Sequence, residues 1–173
     1  MKKGIEKGLS LVEILIVITI FSVLGVLITQ SVILTLTGSR KSEATIRVRE
    51  NLDYSLNVIE RQLRNASAVY RDSTYTTACN SSVQTSIYYL DQNGNKSYFS
   101  CENIDGVGSY IASGSAHLTG SAVKIVACSF QCVPNALSNP NLVRVKITLN
   151  DGSTTGVNSA SASASTQIYL RNY

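Results

Sequence analysis

Four cysteines are the residues whose chemistry the sequence specifies most directly. They all follow a long apolar segment near the N-terminus, and they are Cys79, Cys101, Cys128 and Cys132. An even number of cysteines in a small domain outside the cytoplasm predicts disulfides. Of the three possible pairings we favour the two local ones, Cys79–Cys101 and Cys128–Cys132. Each of them closes a short loop. Zinc is a weaker alternative, because the CxxxC spacing is not accompanied by a CxxC pair or a nearby histidine.

A second candidate site is a set of oxygen ligands at the spacing of a calcium-binding loop. The matching residues are Asp91, Asn93, Asn95 and Glu102. The glycine that this loop needs for its sharp turn is replaced by a lysine. An Asn-Gly pair within the same residues also predicts a β-hairpin turn, which explains them without a metal. We therefore predict a turn here, with calcium as a weak alternative, and no other metal or cofactor.

The remaining polar residues offer little to a catalytic mechanism. The sequence has no nucleophile-elbow motif, no phosphate-binding loop and no histidine cluster. Its single histidine, His117, lies in a Gly/Ser-rich stretch, where we expect a solvated loop residue. Nine tyrosines are present, and a tyrosine-rich surface could contact a ligand or partner. Half-buried positions in a sheet explain most of them equally well. We expect a structural or binding protein, not an enzyme.

The apolar segment near the N-terminus predicts a membrane anchor, with the cysteines and the other residues that follow it outside the cytoplasm. From Ile14 to Ser39 there is no charged residue, and Ile, Leu and Val dominate. A helix of about 20 such residues spans a bilayer core, and the segment exceeds the h-region of roughly 7–15 residues in a cleaved signal peptide. Lys2, Lys3 and Lys7 would keep the N-terminus in the cytoplasm. Glu13 at the front is unusual, because a charge in the membrane costs roughly 2.5–3.5 kcal/mol.

The run Lys7-Gly8-Leu9-Ser10-Leu11-Val12-Glu13 resembles the prepilin processing site of type IV pilins and type II secretion pseudopilins. The resemblance implies that a prepilin peptidase cuts after Gly8. Leu9 would become the methylated N-terminus, where the family more often has phenylalanine. Glu13 would be the fifth mature residue. In an assembly, this carboxylate would pair with the α-amine of a neighbouring subunit, which offsets the desolvation of both charges.

The resemblance implies a structural subunit of a pilus-like or pseudopilus filament, first inserted in the inner membrane of a bacterium. Its partners would be the lipid bilayer, other pilin subunits, the prepilin peptidase and the assembly platform. Arg47–Leu52, Ile59–Ala66 and Ile168–Asn172 resemble J-type minor pseudopilins and related minor pilins, which implies a priming role at the filament tip. A major pilin and a plain membrane-anchored binding module outside the cytoplasm are the alternatives. Secretion, twitching, adhesion and DNA uptake remain undistinguished.

Cleavage would also change the charge of the chain. Removing residues 1–8 takes away three lysines and one glutamate, which lowers the net charge from +4 to +2. A charge this small does not favour nucleic acid as a partner.

The helix is predicted to continue beyond the membrane, because no glycine or proline occurs between Ser39 and Ala78. Apolar residues recur there about every 3.6 residues, which is typical of an amphipathic helix. They are Val48, Leu52, Leu56, Ile59, Leu63, Ala66 and Tyr70. We therefore predict one helix from Leu9 to about Tyr70. Its second half would cover the sheet of its own chain, with a coiled-coil partner as the alternative.

The predicted fold class is α+β, with the long helix packed on a small antiparallel sheet, as the resemblance also implies. The predicted segments are a leader (1–8), a transmembrane and filament-core helix (9–38), its amphipathic continuation (39–71) and an exported disulfide-bonded β-domain (72–173). Strands are expected at 83–89, 97–101, 123–130, 142–149 and 167–171. Loops are expected at 102–121 and 131–140. The Ser/Ala run 159–165 is either a loop or a thin edge strand, and we favour the loop.

Overall fold

A computed structural model describes residues 10–133, 142–153 and 159–171. In these residues the chain forms one helix and nine strands, and it separates into two compact units with the boundary between Arg40 and Lys41. The elements are α1 (Leu11–Arg64), β1 (Ala68–Tyr70), β2 (Val83–Gln84), β3 (Ser86–Leu90), β4 (Lys96–Glu102), β5 (Tyr110–Ser113), β6 (Ala116–His117), β7 (Val123–Val133), β8 (Leu142–Asp151) and β9 (Ser161–Tyr169). The α+β class, with a long N-terminal helix packed on antiparallel strands, is confirmed.

The second half of α1 covers the core of its own chain. Its buried residues recur at intervals of three and four, and they are Ala44, Val48, Leu52, Ser55, Ile59 and Leu63. The apolar ones join a single hydrophobic cluster that includes residues of most of the strands. The amphipathic stripe therefore packs on its own domain, as predicted, because one apolar face of a helix is stabilised by burial against a sheet.

The helix ends earlier than its apolar repeat predicted. α1 stops at Arg64, whereas the repeat extended it to about Tyr70. The amide of Ser67 donates to the carbonyl of Leu90 at 2.9 Å, and the next three residues pair with β3. Ala66 is buried, as the repeat predicted, but Tyr70, its last member, is only half-buried, and Val69 is the buried residue of β1. The prediction was wrong because β-branched and aromatic residues also suit a strand once a partner is adjacent.

The strands form two antiparallel sheets instead of one. Sheet 1 has the order β1-β3-β4-β5-β6, and sheet 2 has the order β2-β7-β8-β9. The strand predicted at 83–89 is divided between them, so its residues do not share one face. Val83 and Thr85 are exposed, whereas Ile87 and Tyr89 are buried. Alternation in the sequence could not reveal that the chain passes from one sheet to the other within this run.

Sheet 2 contains the strand that the sequence predicts best. In β8, Val143, Val145, Ile147 and Leu149 are fully buried. The side chains between them are exposed or half-buried, as expected for a sheet with one wet face. β7 continues to Val133, so the loop predicted at 131–140 was wrong for its first three residues, and the rest lies outside the described residues.

Two further segments predicted as loops contain strands. The stretch 102–121 includes β5 and β6, which extend sheet 1. The Ser/Ala run forms most of β9, which pairs with β8 from Ser161 to Tyr169 and lies at the edge of sheet 2. The loop that we favoured was wrong, because main-chain hydrogen bonds to β8 hold this strand although its side chains bury little surface.

An ion pair between a partly exposed arginine and a buried aspartate links the second half of α1 to the end of β8. The Nε of Arg47 donates to Oδ1 of Asp151 at 3.1 Å, and the Asp151 side chain is fully buried. The hydroxyl of Ser153 donates to the same carboxylate at 3.1 Å. A buried carboxylate is costly unless it is paired and hydrogen-bonded. These contacts therefore determine where this turn of the helix lies on sheet 2.

Candidate functional site

The first part of α1, residues 11–40, presents an apolar surface on all sides. Each of these residues is exposed. A window of 18 residues has a mean hydropathy of 2.9, and none of it is buried. Continuous apolar surface of this kind marks a contact with a membrane or with other proteins. The helix is long and apolar enough to span a membrane.

Five hydroxyl groups in this segment have partners within the helix. Those of Thr19, Ser22, Thr29, Thr35 and Thr37 donate to carbonyls three or four residues earlier, at 2.8–3.0 Å. A hydroxyl that bonds to its own helix does not need water. These polar residues are therefore compatible with burial of the segment in lipid or among other helices.

Glu13 is the one acidic residue of the segment, and it lies in the first turn of α1. The turn is closed by hydrogen bonds from the amides of Glu13 and Ile14 to the carbonyl of Ser10, at 2.9 and 3.2 Å. A carboxylate is favoured there because helix N-termini carry a partial positive charge. None of the ion pairs among the described residues includes Glu13. The predicted processing residues Gly8 and Leu9 lie outside the described residues.

All four cysteines form disulfides, but the favoured pairing was wrong. The pairs are Cys79–Cys132 and Cys101–Cys128, with Cα atoms 5.8 and 6.3 Å apart. Cys128 and Cys132 both lie in β7. Four residues of an extended strand span about 13 Å, whereas Cα atoms more than about 7 Å apart cannot be bridged without moving the backbone. Two cysteines that are close in sequence are therefore too far apart in this strand to form a disulfide with each other.

The candidate calcium ligands belong to two different places. The carboxylate of Asp91 accepts hydrogen bonds from the amides of Asn93 and Asn95 and from the Asn95 side chain, each at 2.8 Å. These bonds, above all the one from the Asn95 side chain, lower the pKa of Asp91. Gly94 has φ of 79°, as a tight turn requires. The turn prediction is confirmed, whereas Glu102 lies at the far end of β4, about 20 Å along the strand.

Four tyrosines form a continuous surface on the outer side of sheet 1. We call this surface, made of Tyr70, Tyr75, Tyr88 and Tyr98, the tyrosine face. Strand register places Tyr70 beside Tyr88 and Tyr88 beside Tyr98. Their rings follow one another through Tyr75, with centroids 5.7, 5.8 and 5.7 Å apart. Sequence reasoning named a tyrosine-rich surface but could not locate it, because its members meet only through cross-strand pairing.

Tyr75 reaches this surface from the loop that follows β1. Its φ is 59°, a conformation that L residues rarely adopt. Its hydroxyl donates to the carbonyl of Ser97 at 3.1 Å, and Lys96 Nζ lies 4.9 Å from its ring centroid. Burial, with the neighbouring Tyr88, raises the pKa of Tyr75. The loop therefore holds one aromatic ring against a row of rings on the sheet.

His117 was predicted as a solvated loop residue, and it lies instead in β6 at the edge of sheet 1. Its ring is exposed to solvent but stacks on Tyr110, with centroids 3.7 Å apart. The histidine therefore adds one more stacked ring pair to sheet 1. Among the described residues there is no group of three metal-binding side chains that could include it.

The carboxylate of Asp72 organises the loop that carries Tyr75. It accepts hydrogen bonds from the Thr74 hydroxyl at 2.8 Å and from the Thr76 amide at 3.4 Å. Hydrogen bonds from the side chains of Thr77 and Thr74 lower the pKa of Asp72 from 3.8 to about 2. Because the folded pKa is depressed, the contribution of this carboxylate to loop order is complete above pH 3.8 and is lost as the pH falls through about 2.

We therefore expect Asp72 to titrate near pH 2 in the folded protein, as measured by NMR of its side-chain carboxyl group. Thr77→Val removes the strongest donor and should raise the midpoint towards the ordinary value of 3.8. Thr45→Val, which changes a hydroxyl bonded within α1, serves as the control and should leave the midpoint unchanged. A midpoint near 3.8 in the unaltered protein would contradict this assignment.

Comparison with known proteins finds no relative of this chain. No family model, no curated protein and no solved structure matches the chain. Interpretation of its function therefore depends on the N-terminal segment and on the surfaces described above.

Proposed function

We propose that the chain is a structural subunit of a filament of the type IV pilus or pseudopilus kind. The observation that carries the proposal is Glu13, a single carboxylate in the first turn of an exposed apolar helix. The helix N-terminus favours this carboxylate by only about 0.3–1 kcal/mol. A charge in the membrane costs roughly 2.5–3.5 kcal/mol, so a plain anchor gains no net stability from it. A filament subunit does gain, because the α-amine of a neighbouring subunit gives the carboxylate a partner of opposite charge.

The proposed sequence of events begins with insertion as a prepilin in the inner membrane of a bacterium. The three lysines of the leader hold the N-terminus in the cytoplasm. The peptidase cuts after Gly8, Leu9 is methylated, and the helix moves from the bilayer into the filament. An apolar surface on every side suits both surroundings, because lipid tails and neighbouring helices are equally apolar. Disulfides in the second unit agree with a domain outside the cytoplasm.

Within this proposal the chain is a minor subunit that primes assembly at the filament tip. This finer assignment derives from the resemblance of Arg47–Leu52, Ile59–Ala66 and Ile168–Asn172 to J-type minor pseudopilins. It implies a low copy number and helices of partner subunits that meet near the tip. A major pilin would instead be recovered as the principal component of purified filaments.

The proposal is tested by mass spectrometry of the mature N-terminus in cells with and without the prepilin peptidase. We expect a methylated N-terminal peptide that begins at Leu9 when the peptidase is present, and an intact leader when it is absent. Gly8→Val should block cleavage because it alters the residue before the cut. Gly4→Val changes the other glycine of the leader and serves as the matched control. An intact leader in both strains would favour the plain membrane anchor.

A further inference from the structure

The outer side of sheet 1 carries a cavity beside the tyrosine face. It has a volume of about 580 Å³, and its lining includes Tyr75, Tyr88 and Tyr98 together with Ser86, Ser100 and Glu102. We propose that this cavity binds a neutral saccharide. The inference does not depend on the proposed filament function, because an exported domain on a plain anchor would bind the same ligand.

Strand register brings the lining residues to one side of the sheet. Ser86 lies opposite Ser100, and Tyr88 lies opposite Tyr98. Since residues two apart in a strand point to the same side, Tyr98, Ser100 and Glu102 form one row along β4. The alternate residues of these strands, among them Ile87 and Phe99, are buried in the core on the other side. The cavity therefore has hydroxyl groups, aromatic rings and one carboxylate on one side of sheet 1, with Tyr75 added from a loop.

Ser100 supplies the observation that points to a ligand. Its side chain is largely buried, since the residue is only 7% exposed. Among the residues that the structure describes, its hydroxyl oxygen is the one buried side-chain nitrogen or oxygen atom that has no hydrogen-bond partner. Leaving such a group unpaired costs about 1–3 kcal/mol, and most buried polar groups in proteins have a partner. The oxygen is itself buried, so it can complete its hydrogen bonding with a ligand hydroxyl only when the side chain turns towards the cavity that Ser100 lines. Alanine would fit this position without that cost, so folding alone does not explain the serine.

The chemistry of the lining selects a saccharide. A sugar ring has apolar C–H faces that pack on aromatic rings and a rim of hydroxyl groups that exchange hydrogen bonds with serine and carboxylate side chains. Tyrosine and serine together provide a rigid contact surface and adaptable hydrogen bonding. Among the described residues that line the cavity, Glu102 carries the one formal charge. With one carboxylate in the lining and one ammonium, that of Lys96, over the Tyr75 ring, the site has no net positive charge, which does not favour a polyanion such as nucleic acid.

The strand order argues against an extended peptide. β3 and β4 form the floor of the cavity, and each is paired with a neighbouring strand on both sides over most of its length. Their main-chain groups are therefore engaged with neighbouring strands and cannot pair with an added strand, which is how extended peptides usually bind sheets. Binding here must come from side chains, as it does for a sugar.

The test uses the full chain in a detergent without a sugar headgroup. The probes are hexamers of N-acetylglucosamine, of β-1,4-linked glucose and of α-1,4-linked glucose, titrated to millimolar concentration. Calorimetry measures binding, and fluorescence reports on the rings because the sequence has nine tyrosines and no tryptophan. We expect at least one hexamer to bind. Tyr98→Ala should weaken that binding about tenfold, since removing one stacking ring costs on the order of 1.4 kcal/mol.

Two further variants separate binding from folding. Ser100→Ala should weaken binding roughly fivefold through the lost hydrogen bond. It should leave Tm unchanged or raise it, because the hydroxyl has no partner within the described residues. Tyr169→Ala changes a tyrosine that is 68% exposed on β9 of sheet 2, and binding should be unaffected.

Three results would overturn the proposal. The first is that none of the three hexamers binds. The second is binding that persists undiminished in both Tyr98→Ala and Ser100→Ala, which would place the sugar elsewhere. The third is that a single-stranded oligonucleotide of thymidine or an unstructured peptide binds instead and is lost in Ser100→Ala, which would assign the cavity to another class of ligand.

Discussion

Replacing Glu13 by glutamine is expected to abolish incorporation of the protein into filaments while its insertion into the membrane stays normal. Glutamine preserves the shape of the side chain but removes the charge that would pair with the α-amine of a neighbouring subunit. Loss of one partner from a buried charge pair costs about 2–5 kcal/mol. Even the lower figure corresponds to a decrease of roughly thirtyfold in assembly. Insertion should not suffer, because the neutral side chain is less costly in lipid.

The measurement compares the protein in the membrane fraction with the protein in sheared filaments, by quantitative immunoblotting. Glu43→Gln provides a matched control, since Glu43 is an exposed acid on the same helix beyond the apolar segment. It removes the same charge and should leave both fractions unchanged. Normal filaments from the Glu13 variant would show that the carboxylate has no role in assembly. Loss of the protein from membranes would show that the charge acts earlier, during insertion.

Local sequence patterns correctly predicted the elements whose structure does not depend on residues distant in sequence. The buried stripe of α1 and the alternation in β8 each follow from a repeat within a few residues. Val48 and Ile59 are buried because the helical period places them on one side, and Val145 is buried because the strand period does so. The Asn93-Gly94 turn was predicted for a similar reason. Its conformation depends on the turn residues themselves.

The helix and strand predictions that were wrong depended on pairing with residues distant in sequence. The chain beyond Arg64 becomes a strand because β3 lies beside it, and Ser161 starts a strand because β8 does. The division between Val83 and Ile87 depends on which sheet each residue joins. No window of neighbouring residues contains these facts, since they are set by long-range pairing and not by propensity.

The two candidate sites differ in the same respect, because one consists of consecutive residues and the other of residues that are distant in sequence. The resemblance of the N-terminal motif rests on residues that are consecutive in the sequence, and the apolar helix behind it could be predicted from composition alone. The cavity beside the tyrosine face could not, because Ser86 and Ser100 meet only through the register of β3 and β4. The sequence signal that existed was the excess of tyrosine and serine after residue 70, and this signal indicates a surface without locating it.

The observed disulfide pairing makes a strong prediction for the stability of the second unit, the domain that follows Arg40. Both bonds end on β7, at Cys128 and Cys132, and each joins this strand to a distant part of the chain. The sequence separations are 53 and 27 residues. The loop-closure model gives about 4 and about 3.5 kcal/mol of stabilisation for loops of these lengths. Since a domain is stable by about 5–15 kcal/mol, replacing all four cysteines by serine should leave the domain largely unfolded at 37 °C.

Thermal unfolding of the full chain, followed by near-ultraviolet circular dichroism, measures this loss. Each double variant, Cys79→Ser with Cys132→Ser or Cys101→Ser with Cys128→Ser, should lower Tm, and the first should lower it more because its loop is longer. The mismatched double variant Cys128→Ser with Cys132→Ser leaves one cysteine of each bond unpaired, so it should lose the stabilisation of both bonds. If that variant were no less stable than the other two, β7 would not be the strand on which both bonds end.

Digestion with trypsin under non-reducing conditions distinguishes the two pairings directly. Cleavage after Arg71, Lys96, Lys124 and Arg144 leaves Cys79 in one peptide, Cys101 in the next, and both Cys128 and Cys132 in a third. The observed pairing predicts one product in which all three peptides are linked, because the third peptide bonds to each of the others. The local pairing would instead give the first two peptides linked to each other and the third alone with an internal bond. Recovery of that isolated third peptide would show that β7 does not hold its two cysteines apart as an extended strand does.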